Sequence, residues 1–225
     1  VSVIGLLGFQ ETGGNLHTEQ PRTSAVVGEL VASAQVGQTF VAKYPGLARV
    51  QVKLATYGRR NAGPLIFHLR VAPDAADDLV VLTLDAAEVE NTVYHTFKFP
   101  PIRDAAGRSF YFYLEAPQAK RGNAITAWGV TEDVYPDGAA VLQGVQGPDV
   151  RDLTFRLEYD PPLMDRLNIV LARLAQSKPA MWGVQWLYIL LAAAYVVLLY
   201  TLFVRAMRNG FPDKQDGTTS QEKVE

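Results

Sequence analysis

From Ala180 to Val204 the chain carries no Asp, Glu, Lys, Arg or His, and this uncharged run constrains the fold more than any other feature. A hydrocarbon core about 30 Å thick is crossed by about 20 apolar residues wound as a helix rising about 1.5 Å each. The stretch Trp186–Val204 is almost wholly apolar and has that length. A buried core helix has a similar composition, but Trp182 and Trp186 stand at one end and Arg205 and Arg208 at the other. Interfacial aromatics and flanking cations bracket a membrane span in this way, so the sequence predicts a transmembrane helix over 181–205. Ala192, Ala193 and Ala194 in mid-span permit close approach of another helix.

Two cations precede the span (Arg173, Lys178) and three follow it (Arg205, Arg208, Lys214), a bias that puts the C-terminus inside. The polar tail 206–225 is then cytoplasmic. The large N-terminal portion faces the periplasm or cell exterior, with membrane lipid as a partner. The chain opens on Val1 with an apolar stub over 1–12. This stub reads as the end of a signal sequence or of a first membrane helix, which makes the protein single-pass or two-pass; an ordinary buried strand is the competing reading. Residues 13–24, with Gly13, Gly14, Asn15 and Pro21, read as a linker.

Over 25–160 the signal is period-two alternation broken by turns. Val50, Val52 and Leu54 alternate with Arg49, Gln51 and Lys53, and Phe67, Leu69 and Val71 with Ile66, His68 and Arg70. Leu153, Phe155, Leu157 and Tyr159 alternate with Thr154, Arg156 and Glu158. Further strands are predicted at 36–43, 79–84, 93–99, 109–116, 124–130 and 140–143. Breakers such as Tyr44-Pro-Gly46, Asn61-Ala-Gly-Pro64 and Pro136-Asp-Gly138 separate them. About nine short strands in some 135 residues predict a mainly β chain: an antiparallel, jelly-roll-like β-sandwich. In Phe110-Tyr-Phe-Tyr113 the phenylalanines fill the core, leaving Tyr111 and Tyr113 on the outer face for a partner, a sugar ring or a covering loop. After Pro161-Pro162 the period becomes helical, with Leu163, Leu167, Val170, Leu171 and Leu174 forming a stripe. An amphipathic juxtamembrane helix is therefore predicted over 163–178, broken by Pro179.

The absence of cysteine excludes disulfides, cysteine nucleophiles, iron–sulfur clusters and most structural zinc sites. The three histidines, His17, His68 and His95, read as polar or core residues rather than as a metal centre. A net charge of −2 gives no basic field for nucleic acid. No phosphate-binding loop, nucleophile elbow or His-Glu-x-x-His occurs. Asp77-Asp78, Glu88 with Glu90, and Glu132-Asp133 read as solvated turns rather than acid–base pairs. Asp133, Asp137, Asp149 and Asp152 are the oxygen donors from which a structural calcium would be built. Arg59-Arg60, Arg103, Arg108 and Lys120-Arg121 read as a solvated loop set able to meet an anionic surface.

Gly37-Gln-Thr-Phe-Val-Ala42, Gly46-Leu-Ala-Arg-Val-Gln-Val52 and the run Ala55 to Arg70 resemble the opening of a bacterial extracytoplasmic jelly-roll domain. Asp104 to Leu114, Tyr135-Pro-Asp-Gly138 and Asp152-Leu-Thr-Phe-Arg156 resemble its later strands. The resemblance spans roughly 34–160. Such domains resemble carbohydrate-binding modules in architecture and occur in membrane-anchored envelope proteins. The resemblance implies fold and location and carries over no catalytic residue. A fainter resemblance is to small haem-free accessory subunits of respiratory or photosynthetic membrane complexes such as alternative complex III.

Two functions are therefore expected. The first is a non-catalytic, cofactor-free, membrane-anchored accessory subunit that stabilises a larger complex, such as an electron-transport complex, through its span and its sandwich. The alternative is an envelope protein that binds cell-surface carbohydrate, with Tyr57, Tyr111, Tyr113 and Trp128 as contact residues.

Overall fold

In the strand Leu47–Ala55, Val50, Val52 and Leu54 are fully buried while Arg49, Gln51 and Lys53 stay partly exposed. Alternation of this kind forces a second layer to cover the apolar face. The computed structural model of the chain describes residues 16–176 and 185–209. Its strands are β1 (Leu16–Gln20), β2 (Ala25–Val26), β3 (Gln35–Val41), β4 (Leu47–Ala55), β5 (Pro64–Arg70) and β6 (Val80–Asp85). They continue as β7 (Val93–Ile102), β8 (Ser109–Glu115), β9 (Thr126–Val130), β10 (Ala140–Gln143), β11 (Asp152–Leu153) and β12 (Phe155–Tyr159).

One sheet has five strands in the order β10-β3-β8-β5-β6. The other has seven: β1-β12-β4-β9-β11, with β2 on β9 and β7 on β4. All pairings within these sheets are antiparallel. From β3 to β11 the chain crosses to the opposite sheet at every connection except β5–β6, the jelly-roll manner of closing a sandwich. Aromatic rings fill the space between the sheets. Phe67 of β5 stacks on Phe97 of β7 with centroids 4.4 Å apart, and Phe112 of β8 meets Phe155 of β12 edge-on at 5.8 Å.

The sandwich begins earlier than expected. Within the expected linker 13–24, residues Leu16–Gln20 are β1, paired with β12 from Leu16↔Tyr159 to Gln20↔Phe155. Its inward residues are Thr18 and Gln20, both buried, so the alternation is present but polar and hydropathy does not reveal it. Gln20 is accommodated because its carboxamide donates to Leu153 O at 2.9 Å and accepts from Arg22 N at 2.7 Å. At the other extreme β7 continues through Pro100-Pro101, beyond the expected end at Phe99. It is an edge strand pairing only with β4, and a register shift opposite Ala48 absorbs the prolines, the location where strand prolines are tolerated.

A separate helical unit begins at Arg166. Helix α1 (Leu163–Gln176) starts at the end of the sandwich unit, with Leu163, Met164, Leu167 and Val170 exposed. Helix α2 (Gln185–Asn209) contains Ile189–Arg208, 20 residues long and apolar enough to cross a membrane, with none of it buried. The expected stub 1–12, the break at Pro179, Trp182 and the tail 210–225 lie outside the described residues, as does the side chain of Trp186.

Candidate functional site

Four loops meet at one end of the sandwich: those joining β2 to β3, β4 to β5, β8 to β9 and β10 to β11. They line a cleft of about 430 Å³, inside the range of about 300–1,000 Å³ usual for small-molecule sites. The β4–β5 loop opens with a tight turn in which Tyr57 and Gly58 both have positive φ, +56° and +68°. Arg59 N donates to Thr56 O at 3.1 Å across it. That is a type I′ geometry, which favours Asn, Asp or Gly at both central positions. A tyrosine there carries backbone strain of about 1–2 kcal/mol, and the turn holds because Asn91 Oδ1 accepts from Thr56 N at 2.9 Å.

The strained position sets the Tyr57 ring at the cleft, 43% exposed, with the Arg59 guanidinium 4.8 Å from its centroid. Arg59 donates to Glu29 Oε1 at 2.6 Å and to Ala124 O at 3.2 Å. Gly122 N donates to the same Glu29 oxygen at 3.0 Å. The hydrogen bond from Arg59 holds the Glu29 carboxyl below the usual carboxylate range against the opposing effect of burial, so Glu29 is ionised at neutral pH. Arg121 donates to the Gln146 carboxamide. Gly28, at φ +100°, runs so close to the β10–β11 loop that a Cβ there would lie 2.5 Å from Gln146 O. Backbone abuts backbone at this wall, which fixes its shape.

Tyr111 and Tyr113 do lie on the outer face of the five-stranded sheet, but they are buried, 3% and 4% exposed. This corrects their reading as available contact residues. Tyr111 is folded over Gly37 of β3, whose missing side chain makes the room: a Cβ at Gly37 would lie 2.5 Å from the Tyr111 ring. Tyr113 is covered by His68, stacked at 4.3 Å and 4°, and by Arg70, whose guanidinium lies 5.0 Å from the ring centroid. The two tyrosines stack on each other at 5.6 Å. Burial pushes the Tyr111 phenol up to about 12, so it stays protonated.

Asp78 locks this cluster and is not the solvated turn residue expected of Asp77-Asp78. It accepts from Arg70 Nε at 2.5 Å and from His68 Nδ1 at 2.9 Å. Burial alone raises its carboxyl; the bonds from Arg70 and His68 outweigh that and leave it below the usual range. Facing a carboxylate, His68 Nδ1 carries the proton, and its Nε2 points to Glu115 at 3.5 Å. Arg70 also donates to Tyr113 Oη at 2.9 Å. Through these bonds the His68–Asp78 pair ties the β5–β6 loop to the sheet face.

Trp128 of β9 lies in the other sheet, half-buried, with the Lys53 ammonium 5.9 Å from its ring centroid. The structure therefore does not gather the four expected aromatics into one platform. Only Tyr57 borders the cleft. Among the described residues no three His, Asp or Glu side chains are grouped so as to hold a metal ion. Asp152, one of the considered calcium donors, is fully buried and accepts from Val134 N at 2.8 Å, Tyr135 N at 3.0 Å and Gln38 Nε2 at 3.3 Å; Asp137 pairs with Lys43 at 3.1 Å. Ala192, Ala193, Ala194, Arg205 and Arg208 lie exposed along α2.

The sequence marks Arg59 and Arg121 as basic loop residues but gives no sign of Glu29 and Gln146. They lie on loops distant in the chain, and only the crossing topology unites them. No protein-family model matches this chain, and no curated protein matches it in sequence.

Proposed function

We propose that the protein is a non-catalytic accessory subunit anchored in a bacterial membrane by α2, with the sandwich on the periplasmic or outer side and the C-terminus in the cytoplasm. It stabilises a larger membrane complex, an electron-transport complex being the expected kind. The observation that carries this reading is α2 itself: 20 residues of apolar helix with no side chain buried and a run of small residues at Ala192–194 against which another helix can close. The exposed stripe of α1 offers further apolar surface. Extraction in mild detergent followed by native mass measurement tests it. A stoichiometric assembly with other membrane proteins is expected; a monodisperse monomer overturns it.

A second reading, an envelope protein that binds cell-surface carbohydrate, is favoured by one specific observation: the strained Tyr57 held at a polar cleft. Full-length protein in detergent should then retain cell-wall or exopolysaccharide sugars on a glycan array. Silence across the array removes this reading.

A further inference from the structure

We propose that the loop-end cleft bounded by Glu29, Tyr57, Arg59, Arg121 and Gln146 binds an acidic saccharide, a sugar unit bearing a carboxylate. This deepens the carbohydrate-binding reading and rests on it. Glu29 and Arg59 neutralise each other at 2.6 Å, and the Gly122 amide further engages the carboxylate. Arg121 also lines the cleft, but its hydrogen bond goes to a neutral carboxamide, and no carboxylate lies within ion-pair distance of it among the described residues. The cleft thus sets two guanidiniums, Arg59 and Arg121, against the single carboxylate of Glu29, which feels both, an excess of positive charge in a protein of net charge −2. Arginine's planar fork of donors fits a carboxylate in two-point contact.

The aromatic supplies the second half of the chemistry. A sugar presents an apolar face of C–H groups and an equatorial rim of hydroxyls. Sites for such ligands combine an aromatic surface with a few placed polar groups. Here the surface is Tyr57, and the rim partners are the Gln146 carboxamide and the free lone pairs of Glu29. Backbone strain stored at one exposed aromatic points to a use for that side chain in that place. An asparagine would relieve the strain and would still leave the turn intact.

The test uses the full-length protein in detergent micelles, titrated calorimetrically with tetragalacturonate, with its methyl ester, in which the charge is removed, and with maltotetraose. Tetragalacturonate is expected to bind at least tenfold more tightly than its ester. Arg121→Ala should reduce the acid to the affinity of the ester. Tyr57→Asn should weaken all saccharide binding tenfold or more while the protein unfolds at the same or a higher temperature, which separates loss of the ring from loss of the fold. Equal binding of acid and ester, unaffected by Arg121→Ala, overturns the acidic specificity and leaves the carbohydrate reading standing. Binding that survives Tyr57→Asn overturns this cleft as the site. No binding of any of the three, together with a silent glycan array, overturns both.

Discussion

Asp78 shows how one carboxylate holds a loop in place. Its partners Arg70 and His68 come from the outer face of β5, and Glu115, Tyr113 and Tyr111 complete the set of titratable groups around them. Because the folded carboxyl titrates below its unfolded counterpart, the stabilisation is complete above the ordinary carboxylate value near about 3.9 and is lost as pH falls through the depressed one. The wild-type protein is therefore expected to lose thermal stability below about pH 4 more steeply than Asp78→Asn. At pH 7 the same substitution should cost about 1.5–3 kcal/mol, the usual worth of hydrogen bonds to a charged group. Thermal melts from pH 7 to 2 check this, and identical acid profiles contradict it. The sequence alone makes these side-chain roles only partly readable. Tyr111, Tyr113 and Tyr57 are equally plausible as surface aromatics in one dimension. What separates them is a glycine across the strand pair, a histidine on the neighbouring strand and an unusual backbone angle.

For elements, legibility followed the inward-facing chemistry. Where the buried positions are apolar, as in β4, β5 and β12, alternation exposes the strand and its face; β10 is matched to the residue at 140–143. Where they are polar, as in β1, or the strand has two residues, as in β2 and β11, hydropathy carries no signal and pairing with a neighbour makes the strand. Gly37 lies inside the five-stranded sheet, where β3 runs between β10 and β8. A Cβ there would lie 2.5 Å from both Phe112 O and the Tyr111 ring, and the backbone atom cannot swing away. Gly37→Ala is expected to cost about 1–3 kcal/mol, the usual toll of overpacking, which is a fall in Tm of about 2–12 °C. Calorimetric melting of the variant checks it; an unchanged Tm would show that the sheet face is looser than described.

For the whole molecule, the apolar run and the sandwich were legible because each is a long, repetitive signal. The cleft was not, because its residues come from four loops brought together only by a chain that crosses between sheets. On the function proposed, α2 anchors the protein and the sandwich lies on the side of the membrane opposite the C-terminal tail. With no native cysteine, the most direct measurement is labelling of single introduced cysteines by a membrane-impermeant maleimide. Asp74→Cys, on an exposed loop of the sandwich, should react in intact cells with the outer membrane made permeable, whereas Ser220→Cys should react only after the inner membrane is lysed. Labelling of both sites before lysis, or of Ser220→Cys alone, contradicts the account.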